Sequence, residues 1–421
     1  MLVLCAVADH VTAAVWFQGV ERMSIGSNGE QAYAAARTSA ISADGSVVAF
    51  VVQSALLVPG DLNGVDDVLI RDRTTGETLR VSVSSQGIEG DLDSVAPALS
   101  ANGRVIAFQS DATNLVPGDT NAFADIFVHN RDTGETTRVS ISSLGVQADL
   151  PCLSPDISDD GQIVTFMSYA NTLIPHDTTL RQDIFVHDRS TGETELVSVS
   201  DNGTQGNDNS WAPVLSGDGR YVAYRSQADN LVQHDSNSSH DIFVYDRVTA
   251  TTTRVSISTE GVEGNSTSLR PWMSGNGRYV SFHTFATNFS PLDTSADTDV
   301  YVHDRRTGVT EMVSLSVKGE SADDHANNAR ISADGRFVSF ESFAGNLVPG
   351  GLPFTTEVYL RDRHTRSTVR VSMSPHGAAA NATSALAAIS ADGHSVVFES
   401  LATNLAPNDT NGETDIYVVD L

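Results

Sequence analysis

Ile157-Ser158-Asp159-Asp160-Gly161-Gln162-Ile163-Val164-Thr165-Phe166 is the stretch from which the fold can be read. An Asp-Gly pair, suited to the positive-φ positions of a tight hairpin, leads into a run of β-branched and aromatic residues. A polar loop ending at Asp183 follows, then a second run, Ile184-Phe185-Val186-His187. The turn Asp188-Arg189-Ser190-Thr191-Gly192 leads to a third, Glu195-Leu196-Val197-Ser198-Val199. The start of this unit recurs at Ile41, Leu99, Ile157, Leu215, Met273, Ile331 and Ile389, each 58 residues after the last. A fixed period of this size marks a repeat architecture.

Within the unit, Phe50, Phe108, Phe166, Tyr224, Phe282, Phe340 and Phe398 share one position. Val68, Ile126, Ile184, Ile242, Val300, Val358 and Ile416 share another. Short alternating runs between Gly, Asp and Ser turns, with no helical period, predict an all-β chain. The segments before each Ile-Ser or Leu-Ser, such as 94–100 and 210–216, often carry a proline (Pro97, Pro155, Pro213, Pro271) and read as the innermost strand. Four strands in each of seven units predict a seven-bladed β-propeller. The last copy stops at Leu421, before its outer strand, while Arg22-Met23-Ser24-Ile25 matches Arg80-Val81-Ser82-Val83. The ring is therefore expected to close through an N-terminal strand that completes the last blade, leaving no open seam. Residues 20–421 form this single unit; residues 1–19 stay unassigned and read as the remnant of a signal peptide.

The chain carries 25 Lys+Arg against 53 Asp+Glu, a formal charge of −28, which argues against nucleic acid and anionic membrane surfaces. Lys318 is the one lysine. Cys5 and Cys152 do not follow the repeat and say little about redox compartment. The N-terminal apolar patch is too short to span a bilayer, and a monomer is expected.

Ile331-Ser332-Ala333-Asp334-Gly335-Arg336-Phe337-Val338-Ser339-Phe340 and Asp125-Ile126-Phe127-Val128-His129-Asn130-Arg131 resemble the WD40-like (PD40) repeat of TolB-type propellers. The resemblance covers about residues 20–421. It implies a propeller, binding to a protein partner, and a periplasmic, cell-envelope or secreted location.

The loop between the second and third strands carries the candidate site. Asp61/Asn63/Asp67, Asp119/Asn121/Asp125, Asp235/Asn237/Asp241 and Asp409/Asn411/Asp415 place oxygen donors at i, i+2 and i+6, a set that suits a hard cation such as Ca²⁺. The competing reading is an Asx-turn followed by an aspartate at strand entry. In the sixth copy Gly351, Pro353 and Glu357 stand at these places, so no site is expected there. His129, His187 and His303 fall one per blade and do not form a cluster. Polar residues are spread evenly, and Trp211, Trp272, His283 and His325 make no recognisable constellation.

These observations predict a non-catalytic binding or scaffold propeller that presents an acidic, amide-rich face, with Ca²⁺ stiffening the loops. One alternative is a lyase or hydrolase with its site at the central channel. Carboxylates or histidines converging there would favour it. The other is carbohydrate recognition, which would need exposed aromatic platforms.

Overall fold

The computed structural model describes residues 19–421 other than Ser54, His176, Thr178 and Pro353. The expected signal remnant lies almost wholly outside them. Seven four-stranded antiparallel sheets follow one another along the chain. Blade 1 consists of Arg37–Ile41, Val47–Val52, Asp67–Asp72 and Glu77–Arg80, numbered here from the innermost strand outward. Blades 2 to 6 begin at Ser94–Leu99, Cys152–Ile157, Ser210–Leu215, Ser268–Met273 and Ala326–Ile331. Blade 7 takes three strands from the C-terminus and Gly19–Arg22 as its outer strand, paired Gly19 to Asp420 and Arg22 to Tyr417. The expected closure is observed.

Each innermost strand touches those of both neighbouring blades, and Arg37–Ile41 meets Ser384–Ile389, so the innermost strands form a ring around a central channel. Second and third strands are buried on both faces; Val47–Val52 is buried throughout. Aromatic pairs bridge them within a blade, Phe108 with Phe127 and Phe166 with Phe185, ring centroids 5.9 Å apart in both. Such pairs contribute roughly 0.5–1.5 kcal/mol beyond the area they bury.

The glycine of each Asp-Gly or Asn-Gly turn serves two ends. Gly335 has φ +76°, as the hairpin requires, and a Cβ on it would stand 2.0 Å from Cδ2 of Tyr279 in the preceding blade. Val47 against Gly103 and Tyr221 against Gly277 repeat the contact. The turn glycine is thus also a socket for the neighbouring blade, which the sequence pattern alone does not show.

The innermost strands are not regular. Pairing with the second strand slips in every blade, between Arg37 and Ala40 in blade 1 and between Asn327 and Arg330 in blade 6. At the slip stands a non-glycine residue with positive φ: Thr38, Ala96, Ser154, Ala212, Arg270, Asn328 or Leu386. Such bulges re-aim backbone and side chains.

Candidate functional site

Two regions concentrate polar chemistry: the loops between second and third strands, and the channel.

In the loops, the structure brings the two aspartates of each predicted triplet together around an arginine of the outer strand. Arg80 Nη1 lies 3.8 Å from Asp61, 2.9 Å from Asp67 and 2.6 Å from Glu89. Arg138 stands 3.1 Å from Asp119 and 3.2 Å from Asp125. Arg254 is 3.2 Å from Asp235, 3.4 Å from Asp241 and 2.8 Å from Glu263. Arg22 is 3.5 Å from Asp409 and 3.2 Å from Asp415, across the closure of the ring. The asparagines turn their oxygens away. Oδ1 of Asn63, Asn121, Asn237 and Asn411 accepts the backbone N–H two residues on. Their amides donate to the carbonyls of Gly90, Ala148, Gly264 and Ala32, tying each loop to the chain segment that enters the next blade. Asp61, Asp67 and Glu89 still present ligand atoms within 4.8 Å of one another, a spacing that can hold a metal ion. In blade 6, Arg370 pairs with Glu357 at 3.1 Å.

The serines of the outer strand are part of the same arrangement. Ser82 donates to Asp67 Oδ1 at 2.6 Å and accepts the Val68 N–H, so its partner is a carboxylate as well as backbone. His129, His187 and His303 each meet a threonine of their own blade, at 2.9, 2.8 and 2.8 Å, one per blade as expected.

The channel holds what sequence reading left scattered. The fifth residue of the second strand lies beside the bulge and takes six identities in seven blades: Val51, Gln109, Met167, Arg225, His283, Glu341, Glu399. Where it can accept a hydrogen bond, it takes the bulge N–H of the next blade. Gln109 accepts from Ser154 at 3.4 Å, His283 from Asn328 at 3.4 Å, Glu341 from Leu386 at 2.7 Å and Glu399 from Thr38 at 2.6 Å. Arg225, Arg270 and Arg330 join them from blades 4 to 6. The Arg330 guanidinium lies 3.6 Å from the ring centre of Trp272, and that of Arg225 lies 4.5 Å from that of Trp211. Both tryptophans sit half-buried on innermost strands, as channel wall and not as core alone.

Protein surrounds these groups and shifts their titration. Burial, with the charges of Arg270 and Arg225, drives His283 down to about 3, so it stays neutral. Burial pushes Asp156 up to about 6 and Glu399 up to about 7, the latter against the pull of the Thr38 N–H. Burial lowers Arg330 to about 10 despite Asp156 and Glu341. Glu341 has both oxygens engaged, by Asn328 and by Leu386, whereas one Glu399 oxygen takes Thr38.

At the end of the channel on the loop side, Asp297, Asp324 and His325 bring three ligand atoms within 4.8 Å of one another. His325 Nδ1 accepts the Thr298 N–H at 2.9 Å and its Nε2 lies 3.4 Å from Asp297. The two carboxylates fit a divalent cation; the imidazole would join them only by giving up the Thr298 bond or its own proton.

No family model and no curated protein matches the chain. Among solved structures, an oligogalacturonate lyase in complex with manganese is similar at a TM-score of 0.56 and 13% identity, covering 96% of this chain and 90% of that one. The oligogalacturonate lyase of Vibrio parahaemolyticus is similar at 0.56 and 13%, over 95% and 90%. TolB of Acinetobacter baumannii is similar at 0.42 and 16%, over 72% of this chain and 59% of its own, so this chain spans under two thirds of that protein. The likeness is one of fold, that of a seven-bladed propeller, without assignment to the PD40 repeat family. No helix among the described residues is long and apolar enough to cross a membrane.

The expectation of a non-catalytic scaffold, and with it the leaning against an enzyme, is corrected. A lyase propeller solved in complex with manganese is similar in fold over nearly the whole chain, two clusters among the described residues can hold a metal, and the channel gathers carboxylates, a histidine and arginines. Even spacing in sequence concealed the convergence, because residues 58 apart meet around one axis.

Proposed function

We propose that the protein is an enzyme of the lyase or hydrolase class whose site is the central channel and whose substrate is an acidic saccharide. The observation that carries this reading is the convergence of Arg225, Arg270, Arg330, His283, Glu341 and Glu399, all from positions where the repeat departs from itself. In a protein of charge −28, three guanidinium groups along one wall form a local exception. Two of them stack on Trp211 and Trp272, which are partly exposed on the innermost strands. Arginine forks match carboxylates in geometry, and aromatic surface beside them suits a sugar ring.

Glu399 is the acid–base candidate. Its titration near neutrality allows it to take and return a proton at ordinary pH. Neutral His283 accepts at Nδ1, so its proton sits on Nε2 and can be donated to a developing negative charge. Neutralising a substrate carboxylate with arginine acidifies the adjacent carbon–hydrogen bond, and that is the proton an eliminating enzyme must remove. A divalent cation on Asp297 and Asp324 would supply a Lewis acid at the channel mouth. The lyases similar in fold act on oligogalacturonate, a polymer of acidic sugars, which supports the substrate class.

The test is turnover of a panel of acidic and neutral oligosaccharides, read by the absorbance of unsaturated products and by reducing ends. Glu399→Gln should lower kcat by about 10²-fold or more, while Arg270→Ala should chiefly raise KM. Turnover of acidic substrates that neither variant changes would refute the assignment, as would neither turnover nor binding of any acidic saccharide.

A further inference from the structure

The outer-strand arginine that sits between the loop carboxylates is absent from two blades. Blade 3 has Leu196 at that position and blade 5 has Met312. Blade 3 compensates: Gln205 Nε2 donates to Asp177 at 2.9 Å, to Thr179 at 3.0 Å and to Asp183 at 2.7 Å. Blade 5 has Ser321 where blade 3 has Gln205. Its carboxylates, Asp293 and Asp299, are 8% and 1% exposed. Asp293 Oδ2 accepts the Tyr301 hydroxyl at 3.1 Å and Asp299 Oδ1 accepts Ser314 at 2.6 Å. Asp293 Oδ1, buried, has no hydrogen-bond partner. The charges acting on this pair are negative, each other's and that of Asp297.

We propose that the blade 5 loop is a binding site for a hard divalent cation, held by Asp293 and Asp299 where five of the other blades carry an arginine. Two buried carboxylates facing one space without a counter-charge are costly, and a cation removes that cost. The donors are oxygens: Asp293 Oδ1, the second oxygen of Asp299 and the nearby Ser321 hydroxyl, a set suited to Ca²⁺, Mg²⁺ or Mn²⁺ with water completing the shell. Leu292, next to Asp293 in the chain, lines a cleft of about 760 Å³ together with Pro291 and Met312. The site is distinct from the channel and does not depend on the enzymatic reading.

The experiment is calorimetric titration of metal-stripped protein with Ca²⁺, then Mg²⁺ and Mn²⁺, alongside thermal unfolding. Wild type should bind one cation that Met312→Arg abolishes. That substitution should also raise the metal-free unfolding midpoint, because it supplies the counter-charge that five of the other blades have. Asp293→Asn should lose the same binding event and serves if the arginine variant does not fold. Asp324→Asn, which alters the separate cluster at the channel mouth, should keep it. Absence of binding for all three cations would overturn the proposal. So would a number of bound cations that Met312→Arg leaves unchanged, or a loss of binding confined to Asp324→Asn.

Discussion

Replacing Arg80 with leucine gives blade 1 the residue that blade 3 has naturally, and the expected outcome is severe. Arg80 is 10% exposed, and Asp61, Asp67 and Glu89 are 4%, 2% and 20% exposed. Water therefore screens little of what the substitution uncovers. Removing one partner of a buried ion pair costs about 3–5 kcal/mol, because the remaining charges stay buried. Here three carboxylates remain. Arg138→Leu in blade 2 should cost less. Gln147 there occupies the place of Gln205 in blade 3 and already donates to Thr120 at 2.7 Å, so a small rotation would let it serve Asp119 and Asp125. The assay is urea unfolding followed by fluorescence and circular dichroism, at pH 7 and pH 5. Uncompensated carboxylates have raised folded-state pKa values. The deficit of Arg80→Leu should therefore shrink as pH falls and the folded state takes up protons. Added Ca²⁺ should restore part of it. Equal costs for the two variants, or a loss below about 1 kcal/mol for Arg80→Leu as at exposed pairs, would refute the counter-charge argument.

Three further outcomes follow from single contacts. Gly335→Ala should cost about 2–4 kcal/mol in urea unfolding, combining overpacking against Tyr279 with strain at φ +76°, whereas Gly319→Ala, at φ +80° in open space, should cost about 1 kcal/mol. Glu399 is raised in the folded protein, so its contribution to stability is complete below its unfolded value near 4.5 and is lost as pH rises through about 7. Glu399→Gln should flatten the decline of the urea midpoint between pH 5 and 8; an unchanged profile would show that Glu399 is not perturbed. His283→Ala leaves the Asn328 N–H without its acceptor and should cost about 1–3 kcal/mol, whereas His283→Gln, which can still accept, should recover much of that.

Blade count, strand order, ring closure and turn glycines were all legible, because each rests on residues that recur every 58 positions and therefore answer a demand every blade makes. Phe166 and its six counterparts fill the same space between second and third strands, and Asp183 and its counterparts meet the same serine. What repeats is what the ring needs to exist. The bulge was not legible. Ser154 at φ +52° carries no local signal beyond the proline that follows, and Thr38, Asn328 and Leu386 lack even that. The counter-charge escaped notice for a related reason: Arg80 lies thirteen residues from Asp67, in another strand, and only the blade brings them together.

The useful signal was the complement of the repeat. At the fifth position of the second strand, between an aromatic residue present in every blade and a serine or threonine present in six, the chain reads Val, Gln, Met, Arg, His, Glu, Glu. A position that varies freely on a surface is unremarkable, but this one lies on a strand buried on both faces, where an unpaired charge is expensive. Six different residues in seven blades mean that the environment is not the same throughout the ring, and the channel axis is where the blades can differ without disturbing their packing. The same argument singles out Met312 among the outer-strand arginines. In a ring of near-identical units, the repeated residues describe the scaffold, and the sites where one unit breaks rank are where chemistry has been placed.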